Sequence, residues 1–537
     1  MHVPGKARVG DRSVLAGALV ITGMSVACGG RSQLDDPTTE MPWVRTPLSP
    51  TTASFFNSVA ADASGNVYAA GNLWGPGTLD FGYGVTATGV FNGYNVLLVK
   101  YNSSGTAQWR QTSTAQPGQA VSAGSSGSQF YSVAVDSSDN VYAAGRTSGA
   151  SGPVDFGNGV TVIGSDTFSS AVLVKYGSSG AAQWAQAVTG GLSESIFSSV
   201  AVDSSGNVYT AGEIEGTGTY VFGKNVTTTG KAISEGMGSM AFNAVLAKYD
   251  SSGVAQWAHT VTAGSIGSRF SSVTVDSAGD VYAAGSISGT ATYDFGSGVT
   301  ATGTASLSRF TGPEIPNVIL VKYNSSGIAQ WAQTDTAGHR SAFSSVAVDS
   351  AGNVYAAGSL GGPEAFDFGN GVTAMGALTR GAIDGFDGPL YVVLVKYNSS
   401  GIAQWARTVT NAGPSSSFDS VALDSSGNAY AAGSLYGPAT FDFGTGATAS
   451  TTQGTPCVVL VKYNSSGIAQ SARSSVSGDS GYAVYTSVAV DSWDNAFAAG
   501  GIASTGGTGT VDFGNNVTAI GTEVPYPSSS ALLVKYQ

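Results

Sequence analysis

The chain has 537 residues, of which 76 are glycine and only 10% are charged, and its formal net charge is −12. Such an acidic chain is unsuited to binding nucleic acid, because phosphate contacts require clustered Lys and Arg. A hydrophobic content of 42%, with aromatic residues recurring at fixed places, argues against disorder and favours a packed all-β chain rich in turns.

The N-terminus has the features of an export signal. Three basic residues precede the apolar stretch VLAGALVITGMSVA at 14–27, namely Lys6, Arg8 and Arg12. Fourteen residues are too few for an ordinary membrane span but suit the apolar core of a signal peptide. The sequence therefore predicts that residues 1–27 are removed on export.

The end of this stretch, SVAC at 25–28, resembles a bacterial lipobox, although Ser25 stands where Leu is usual. The resemblance implies that Cys28 carries lipid, that residues 28–40 form a tether, and that the lipid is the only contact with a membrane. The sequence SVA also fits ordinary signal peptidase, so cleavage without lipidation stays open.

Residues 41–537 contain a repeat of about 70 residues. The segment SVAVDSSGNVYTAG at 199–212 recurs seven times, and the repeated Asp falls at Asp62, Asp136, Asp203, Asp276, Asp349, Asp424 and Asp491. Each unit predicts four strands, which begin with SVAVD and VYAAG and end with segments such as NVLLVKY and AQWAQT. Seven sets of four antiparallel strands predict an all-β fold, a seven-bladed β-propeller.

Units of the form SVAVDSSGNVYAAG…VLVKYNSSGIAQWA resemble the bacterial SBBP-type β-propeller repeat and, more distantly, NHL repeats. The resemblance covers residues 41–537 and implies the fold much more than it implies an activity.

The two ends of the chain complete one unit. The seventh unit stops at its third strand, ALLVKY, whereas MPWVRT at 41–46 supplies a fourth strand with no unit before it. Trp43 lies 19 residues before Asp62, the same spacing that separates Trp405 from Asp424. We therefore expect the N-terminal strand to pair with the C-terminal one and close the ring, which would leave a monomer without an exposed sheet edge.

Only two of the four connections in each unit vary in length. The turns between strands one and two and between strands three and four are constant, whereas the connections from strand two to three and from strand four to the next unit differ. In a propeller alternate connections emerge on opposite faces, so all variable loops share one face. Binding residues concentrate on loops carried by a rigid scaffold, which makes this face the candidate for function.

Two repeated motifs have a structural explanation. DFG occurs six times, with Val221 in the Asp place of the third unit, and predicts a small hairpin between strands two and three. The Asp of each VDSSGN segment is expected to cap its turn by accepting backbone N–H groups. Calcium ligation by these Asp side chains is the alternative, and no other cofactor is predicted.

Two aromatic series are expected to be structural. Strand four carries Trp in six places, with Ser471 in the other: Trp43, Trp109, Trp184, Trp257, Trp331 and Trp405. We expect these Trp side chains to dock neighbouring blades. The second series precedes strand one: Phe56, Phe130, Phe197, Phe270, Phe343, Phe418 and Tyr485. It is expected to fill gaps between blades, and stacking against sugar rings is its alternative.

The chain offers few residues for catalysis. His259 is expected at the surface, His339 lies in a loop, and Cys457 is expected to fill space at the start of a strand. No Ser/His/Asp arrangement or metal-ligand spacing occurs. The variable connections do contain carboxylates that could pair as in a glycosidase: Glu213, Glu215, Glu235, Glu314, Glu364, Asp384 and Asp387.

These observations favour an exported, lipid-anchored binding or scaffold protein of the cell envelope, whose partner is a protein or a polysaccharide. The expected location is the outer membrane or cell surface, otherwise the periplasm or the medium. A carbohydrate-active enzyme, glycosidase-like or lyase-like, is the alternative, and a purely structural envelope protein is a third. The longest connections, in units three to five, place the candidate binding face at Glu213, Glu215, Phe310, Glu314 and Asp384.

Overall fold

The structure is a computed structural model of the chain. It describes residues 41–48, 52–115, 127–148, 152–165, 168–191, 193–232, 241–264, 267–304, 316–338, 340–362, 364–376, 389–410, 415–452, 454–477, 480–522 and 529–537. The chain divides into two units, Met1–Thr39 and Glu40–Gln537, and the first lies outside the described residues. Regular structure in the described ranges is entirely β, and no helix there is long and apolar enough to cross a membrane.

The strands follow one another in a repeating pattern along the chain. β1 (Trp43–Arg45) precedes the first of the seven repeats. The first three repeats contain β2 (Ser54–Ala61), β3 (Val67–Trp74), β4 (Thr78–Asp80), β5 (Thr86–Thr88), β6 (Tyr94–Tyr101), β7 (Ala107–Thr112), β8 (Thr114–Ala115), β9 (Gln129–Val135), β10 (Val141–Ser148), β11 (Val154–Asp155), β12 (Thr161–Val162), β13 (Ser169–Tyr176), β14 (Ala182–Ala187), β15 (Thr189–Gly190), β16 (Ser195–Val202), β17 (Val208–Glu215), β18 (Thr219–Gly223), β19 (Val226–Thr229), β20 (Phe242–Tyr249) and β21 (Ala255–Thr260). The fourth and fifth contain β22 (Ser268–Val275), β23 (Val281–Ser288), β24 (Thr292–Asp294), β25 (Thr300–Thr302), β26 (Pro316–Tyr323), β27 (Ala329–Gln333), β28 (Arg340–Val348), β29 (Val354–Gly361), β30 (Ala365–Asp367), β31 (Thr373–Met375), β32 (Leu390–Tyr397) and β33 (Ala403–Arg407). The last two contain β34 (Ser416–Leu423), β35 (Ala429–Leu435), β36 (Ala439–Asp442), β37 (Thr448–Thr451), β38 (Cys457–Tyr463), β39 (Ala469–Ser474), β40 (Val476–Ser477), β41 (Gly481–Val490), β42 (Ala496–Ser504), β43 (Thr508–Asp512), β44 (Thr518–Thr522) and β45 (Ser530–Tyr536).

The long strands form seven four-stranded antiparallel sheets, numbered 1 to 7 in chain order. In sheets 1 to 6 the strands lie side by side in chain order, as in β2-β3-β6-β7. Sheet 7 has the order β41-β42-β45-β1, with Trp43 opposite Lys535 and Arg45 opposite Leu533. This pairing confirms the prediction that MPWVRT provides the fourth strand of the last unit, and it covers an edge that would otherwise be open.

A closed series of hydrogen bonds joins the first strands of the seven sheets. The hydroxyl of one Ser in each first strand accepts a hydrogen bond from the backbone N–H of a Val in the next first strand, as Ser58 does from Val133. All seven bonds measure 3.0–3.2 Å, and the last returns from Ser487 to Val59. Because the same bond joins every neighbouring pair, corresponding ends of all seven sheets lie on the same side.

Each sheet carries a small hairpin between its second and third strands, as predicted for DFG. In sheet 1 the hairpin is β4-β5, and the carboxylate of Asp80 accepts a hydrogen bond of 2.8 Å from the backbone N–H of Gly82. The Phe of the motif packs against the first strand, since Phe81 stacks on Phe56 at a centroid distance of 6.3 Å. Equivalent ring pairs occur in all seven sheets.

The aromatic series that precedes strand one therefore belongs to the core. Its seven members are at most 2% exposed. Their burial confirms that they fill space inside the fold, and the alternative of sugar stacking by these rings is wrong.

The strand-four Trp residues dock one sheet on the next, as predicted. Trp405 covers Gly467 in the turn between the third and fourth strands of sheet 6, and its indole N–H donates to the Ser465 carbonyl at 3.3 Å. Gly467 has a φ of +76°, and a Cβ there would lie 2.7 Å from the Trp405 ring. Any other residue would be strained and would push the Trp away.

The exception at Ser471 has a structural cause. Ser471 lies on the fourth strand of sheet 6, so a Trp there would cover the corresponding turn of sheet 7. Sheet 7 has no such turn, because its third and fourth strands come from opposite ends of the chain. The missing Trp and the split sheet thus have one cause, the pairing of β1 with β45.

Candidate functional site

Each sheet has two ends of different character. The turn end carries the constant turns after strands one and three, such as 62–66 and 102–106 in sheet 1. The variable end carries the connections of unequal length, next to residues 53–57 and 72–74 in sheet 1. The hydrogen bonds between first strands place all seven turn ends on one side and all seven variable ends on the other.

At the turn end, the repeated Asp caps its turn. One carboxylate oxygen of Asp62 accepts hydrogen bonds of 2.9 Å from the backbone N–H groups of Ser64 and Asn66, and the other accepts one of 3.0 Å from the Tyr68 hydroxyl. Asp136 and Asp203 make the same contacts with their own turns. The predicted capping role is confirmed.

A repeated Lys at the turn end packs on an aromatic ring and contacts the next sheet, a role that the sequence analysis did not predict. The ammonium group of Lys100 lies 4.9 Å from the centre of the Tyr68 ring, and every sheet has an equivalent pair, with Phe497 as the ring in sheet 7. The Lys nitrogen also reaches the next sheet, as Lys175 does by donating to the Ser251 carbonyl at 3.2 Å. The sequence did contain an indication of this role, because every LVKY or LAKY segment has the same Lys.

A cavity of 290 Å³ opens at the variable end, between sheets 1 and 2. The described part of its wall contains four half-buried aromatic rings and several amide and hydroxyl groups, and no charged side chain. The lining residues are Ala53, Ser54, Phe55, Asn57, Asn72, Trp74, Tyr94, Gln129, Tyr131 and Ser529.

Strand pairing holds the two largest rings of this cavity together. Trp74 and Tyr94 are directly opposed on β3 and β6, and their rings meet edge to face at 4.7 Å. The backbone N–H of Trp74 donates to the Ala53 carbonyl at 2.8 Å. Buried Asn95 fixes the chain before Tyr94, because its side-chain oxygen accepts from two backbone N–H groups and its amide donates to three carbonyls.

Only some of the polar groups in the cavity form hydrogen bonds with other described protein groups. The Asn57 amide donates to the Phe130 carbonyl at 2.7 Å, and the Tyr131 hydroxyl donates to the side-chain oxygen of Gln129. In the described part of the chain, the Trp74 indole N–H, the Tyr94 hydroxyl and the Gln129 amide nitrogen have no protein partner. The cavity therefore presents hydrogen-bonding groups beside apolar rings.

The side chain of Arg146 packs on Tyr131, one of the aromatic rings that line the cavity. The Arg146 guanidinium is 6.0 Å from the centre of the Tyr131 ring. Burial raises the pKa of the Tyr131 hydroxyl, and the charge of Arg146 opposes this rise without cancelling it. Tyr131 therefore remains a neutral hydroxyl at physiological pH.

Two of the five predicted binding residues can be located. Glu213 forms an ion pair with Arg269 at 3.5 Å, and Arg269 lies over the Phe242 ring. Glu215 accepts hydrogen bonds from the Ser193 hydroxyl and from the backbone N–H of Glu194. Phe310, Glu314 and Asp384 lie outside the described residues, as do Cys28, the signal peptide and the tether.

The environment of Glu213 alters its acidity. Burial raises the pKa of this carboxyl, Arg269 lowers it, and the nearby charges of Glu194 and Glu215 raise it again, with a net rise. The structure thus brings three carboxylates near one another at the variable end of sheet 3. Within the described ranges, no three His, Cys, Asp or Glu side chains are arranged to hold a metal ion.

His259, which was expected at the surface, is half-buried. Its ring stacks on Trp257 at 4.9 Å, and its Nε2 atom is buried without a hydrogen-bond partner among the described residues. Burial lowers the pKa of the imidazole, which favours the neutral form. Cys457 is buried at the first position of β38, as predicted.

A second and larger cavity, of 840 Å³, follows the seam between β1 and the hairpins of sheets 1 and 7. Leu48, Tyr83 and Ile520 line it and are largely exposed. Its cation, Arg45, already donates to the carbonyls of Gly105 and Ser104. The groove therefore offers mainly an apolar surface.

The solved structures that match this chain include two with low TM-scores. One is a protein of unknown function from Dyadobacter fermentans, with a TM-score of 0.33 and 10% identity over 92% of this chain and 99% of that one. The other is the extracellular domain of a protein described as a hybrid two-component system from B. thetaiotaomicron, with a TM-score of 0.23 and 9% identity over 88% of this chain and 58% of that one. No family model and no curated protein matches the chain. Both TM-scores are too low to support a conclusion about function.

Proposed function

We propose that residues 41–537 form a seven-bladed β-propeller of the SBBP type, and that the protein is a binding module whose ligand site lies at the variable end. The propeller is supported by seven four-stranded sheets, by contacts between each first strand and the next, and by the contact of β2 with β41 that links the last sheet to the first. A blade in this proposal is one of these sheets.

The function is supported chiefly by one contrast. At the turn end the seven units repeat the same Asp, aromatic and Lys side chains, whereas at the variable end equivalent positions differ in size and charge. The 290 Å³ cavity, with its amphipathic wall, lies at the variable end. Ligand sites are usually concave and largely apolar, with a few polar groups that orient the ligand.

Catalysis by carboxylates has weaker support. Glu213 is paired with Arg269, and Glu215 already accepts two hydrogen bonds. A general acid and a nucleophile or base must face the same glycosidic bond, and neither carboxylate lines the 290 Å³ cavity. We therefore favour binding over a glycosidase-like or lyase-like reaction.

Export and anchoring form the second part of the proposal. The apolar stretch at 14–27 and the lipobox-like SVAC motif support a lipid on Cys28. The Cys28→Ser variant should move from the membrane fraction to the soluble one, whereas a Cys457→Ser control should stay with the membranes. A Cys28→Ser protein that remains membrane-bound would contradict the lipid anchor.

The binding face can be tested by damaging each end of the sheets separately. One variant replaces Tyr131 and Glu213 with Ser at the variable end, and the other replaces exposed Ile328 and Ile402 with Thr at the turn end. Both are compared with the wild type on a combined array of glycans and envelope proteins. We expect signals to fall only in the first variant; loss confined to the second would mean that the opposite face binds.

A further inference from the structure

We infer that the cavity between sheets 1 and 2 binds one uncharged sugar residue of a glycan, held against Trp74 and Tyr94 and oriented by the amides of Asn72 and Gln129. This inference rests on the proposed binding function and adds to it a site and a ligand class. Four properties of the cavity support it: its rings, its polar groups, its charges and its size.

The aromatic rings provide the apolar part of the site. Phe55, Trp74, Tyr94 and Tyr131 are all half-buried, so each keeps part of its ring open to the cavity. A pyranose ring has a face of C–H groups that can lie on such a surface, and covering it removes apolar area from water. The edge-to-face contact between Trp74 and Tyr94 fixes both rings before any ligand arrives, which limits the entropy lost on binding.

The polar groups complement the hydroxyl rim of a sugar. The Trp74 indole and the amide nitrogens of Asn72 and Gln129 are donors that no described protein group accepts, and the Tyr94 hydroxyl can donate or accept. Asn72 and Gln129 are also largely buried. A ligand that covers these donors without accepting their hydrogen bonds would leave them unpaired at a cost, so the site favours a ligand with several acceptors over a purely hydrophobic one.

The charges favour an uncharged ligand. Among the described residues, no carboxylate, ammonium or guanidinium group lines the cavity, and the chain as a whole carries −12. The Arg146 cation lies over the Tyr131 ring, but Glu194 and Glu213 also act on that tyrosine with the opposite sign. An acidic sugar would thus meet no unopposed cation.

The size and the surrounding backbone disfavour a peptide. The volume of 290 Å³ lies near the lower limit of typical ligand cavities, about 300 Å³, and suits one ring rather than an extended chain. The strands that line it already have neighbours: β3 pairs with β2 and β6, and β9 pairs with β10. Of the first strands, β2 and β9 have an unpaired edge, but those edges face other first strands, so the described part of the wall offers no open site for strand addition.

The other six sheets show that the fold does not require this set of residues. At the position of Trp74 they have Ser148, Glu215, Ser288, Gly361, Tyr436 and Ala503. At the position of Asn72 they have Arg146, Glu213, Ser286, Ser359, Ser434 and Gly501. A Trp and an Asn at this end of sheet 1 therefore need an explanation other than folding, and a ligand provides one.

The experiment measures glycan binding by the full chain and by position-matched variants. The full-length protein is applied to an array of neutral, amino and acidic oligosaccharides, and array ligands are then titrated while tryptophan fluorescence is recorded. Trp74→Ser and Asn72→Ser introduce residues that sister sheets carry at the same positions. Tyr436→Ser, at the Trp74 position of sheet 6, is the control.

We expect neutral glycans to bind the wild type, with an affinity about tenfold lower or worse in Trp74→Ser and unchanged in Tyr436→Ser. Equal binding by Trp74→Ser and wild type would overturn the assignment of this cavity, as would ligands that are exclusively acidic. If array proteins bind at the variable end and no glycan does, the sugar inference fails while the proposed function stands. If neither class of ligand binds the variable end, both fail.

Discussion

The turn end and the variable end belong to the same strands, but their seven copies agree to very different degrees. At the turn end, packing and hydrogen bonding demand the same Asp, aromatic ring and Lys in each sheet. At the variable end, the residue after the second-strand Gly ranges from Asn72 to Arg146, Glu213 and Gly501. Repetition within one chain thus separates the residues that the fold needs from those that it tolerates.

Carboxylates at the two ends also differ in acidity. Burial tends to raise the pKa of Asp203 in its turn, but hydrogen bonds from Asn207, Tyr209 and Ser205 outweigh burial and lower it below the ordinary 3.8. Among the described residues, Asp419 at the variable end of sheet 6 accepts a hydrogen bond only from the Ser417 hydroxyl, at 3.4 Å, and burial raises its pKa to about 6. The same side chain therefore stabilises one end at neutral pH and destabilises the other.

Removing residues 41–48 should have the largest effect on the fold. The deletion leaves β45 with an unpaired edge and removes the Trp43 side chain from the core. Exposed edges pair with other chains, so we expect aggregation or dimers in size-exclusion chromatography. An unchanged melting temperature with monomeric elution would disprove closure of the ring by this strand.

Replacing a single docking Trp should destabilise the fold less than the deletion does, and by the same amount at Trp43 and at Trp405. Trp43→Ala and Trp405→Ala should each lower the free energy of unfolding by about 3–5 kcal/mol, the usual cost of truncating a large buried aromatic. Both Trp residues cover a turn Gly, Gly105 and Gly467 respectively. Urea unfolding measures the change, and a much smaller loss for Trp43 would show that the seam is weaker than the other contacts.

Much of the fold was predictable because the same sequence pattern occurs in all seven units. The four strands, the caps at Asp62 and its equivalents, the hairpins at DFG and the pairing of β1 with β45 all follow from spacings that recur in the sequence. The reason why Ser471 replaces the usual Trp was not evident from the sequence, because it depends on which part of sheet 7 faces the fourth strand of sheet 6. That neighbour is visible only once the sheets are assembled.

The cavity was not predictable from the sequence. Trp74, Tyr94 and Tyr131 lie on three different strands of two units, and each looks like an isolated deviation from the repeat. The length of the connections between strands two and three drew attention to units three to five, whereas most of the wall of the 290 Å³ cavity belongs to units one and two, where these connections are short. Register across β3 and β6, together with the contact between sheets, brings these residues into one wall.

The pH dependence of stability offers a sharper test of the two kinds of carboxylate. A folded-state pKa of about 6 for Asp419 means that the folded protein binds a proton that the unfolded chain releases between about pH 6 and 3.8. Asp419 therefore lowers stability as pH rises through 6, and Asp419→Asn should be more stable than wild type by about 1–2 kcal/mol at neutral pH. The full shift would correspond to about 3 kcal/mol, but contact with solvent reduces it.

Asp203→Asn provides the opposite case for the same measurement. Because its folded-state pKa is lowered, Asp203 contributes stability above pH 3.8 that disappears as pH falls below that value. Urea unfolding at neutral pH should show Asp419→Asn above wild type and Asp203→Asn below it. Two variants that move in the same direction would mean that the environments of the two ends do not differ as described.

The smallest effects on stability are expected at the variable end itself. Asn72→Ser and Glu213→Ser introduce the residue that three sister sheets already carry there, Ser286, Ser359 and Ser434. Glu213→Ser breaks the ion pair with Arg269, but it also removes a carboxylate whose burial is unfavourable, so the two terms offset one another. Each change should alter the free energy of unfolding by about 0.5 kcal/mol or less, measured by urea unfolding beside Trp405→Ala. A loss above about 2 kcal/mol would mean that Asn72 or Glu213 is retained for folding, and the contrast between the two ends would then no longer point to a ligand.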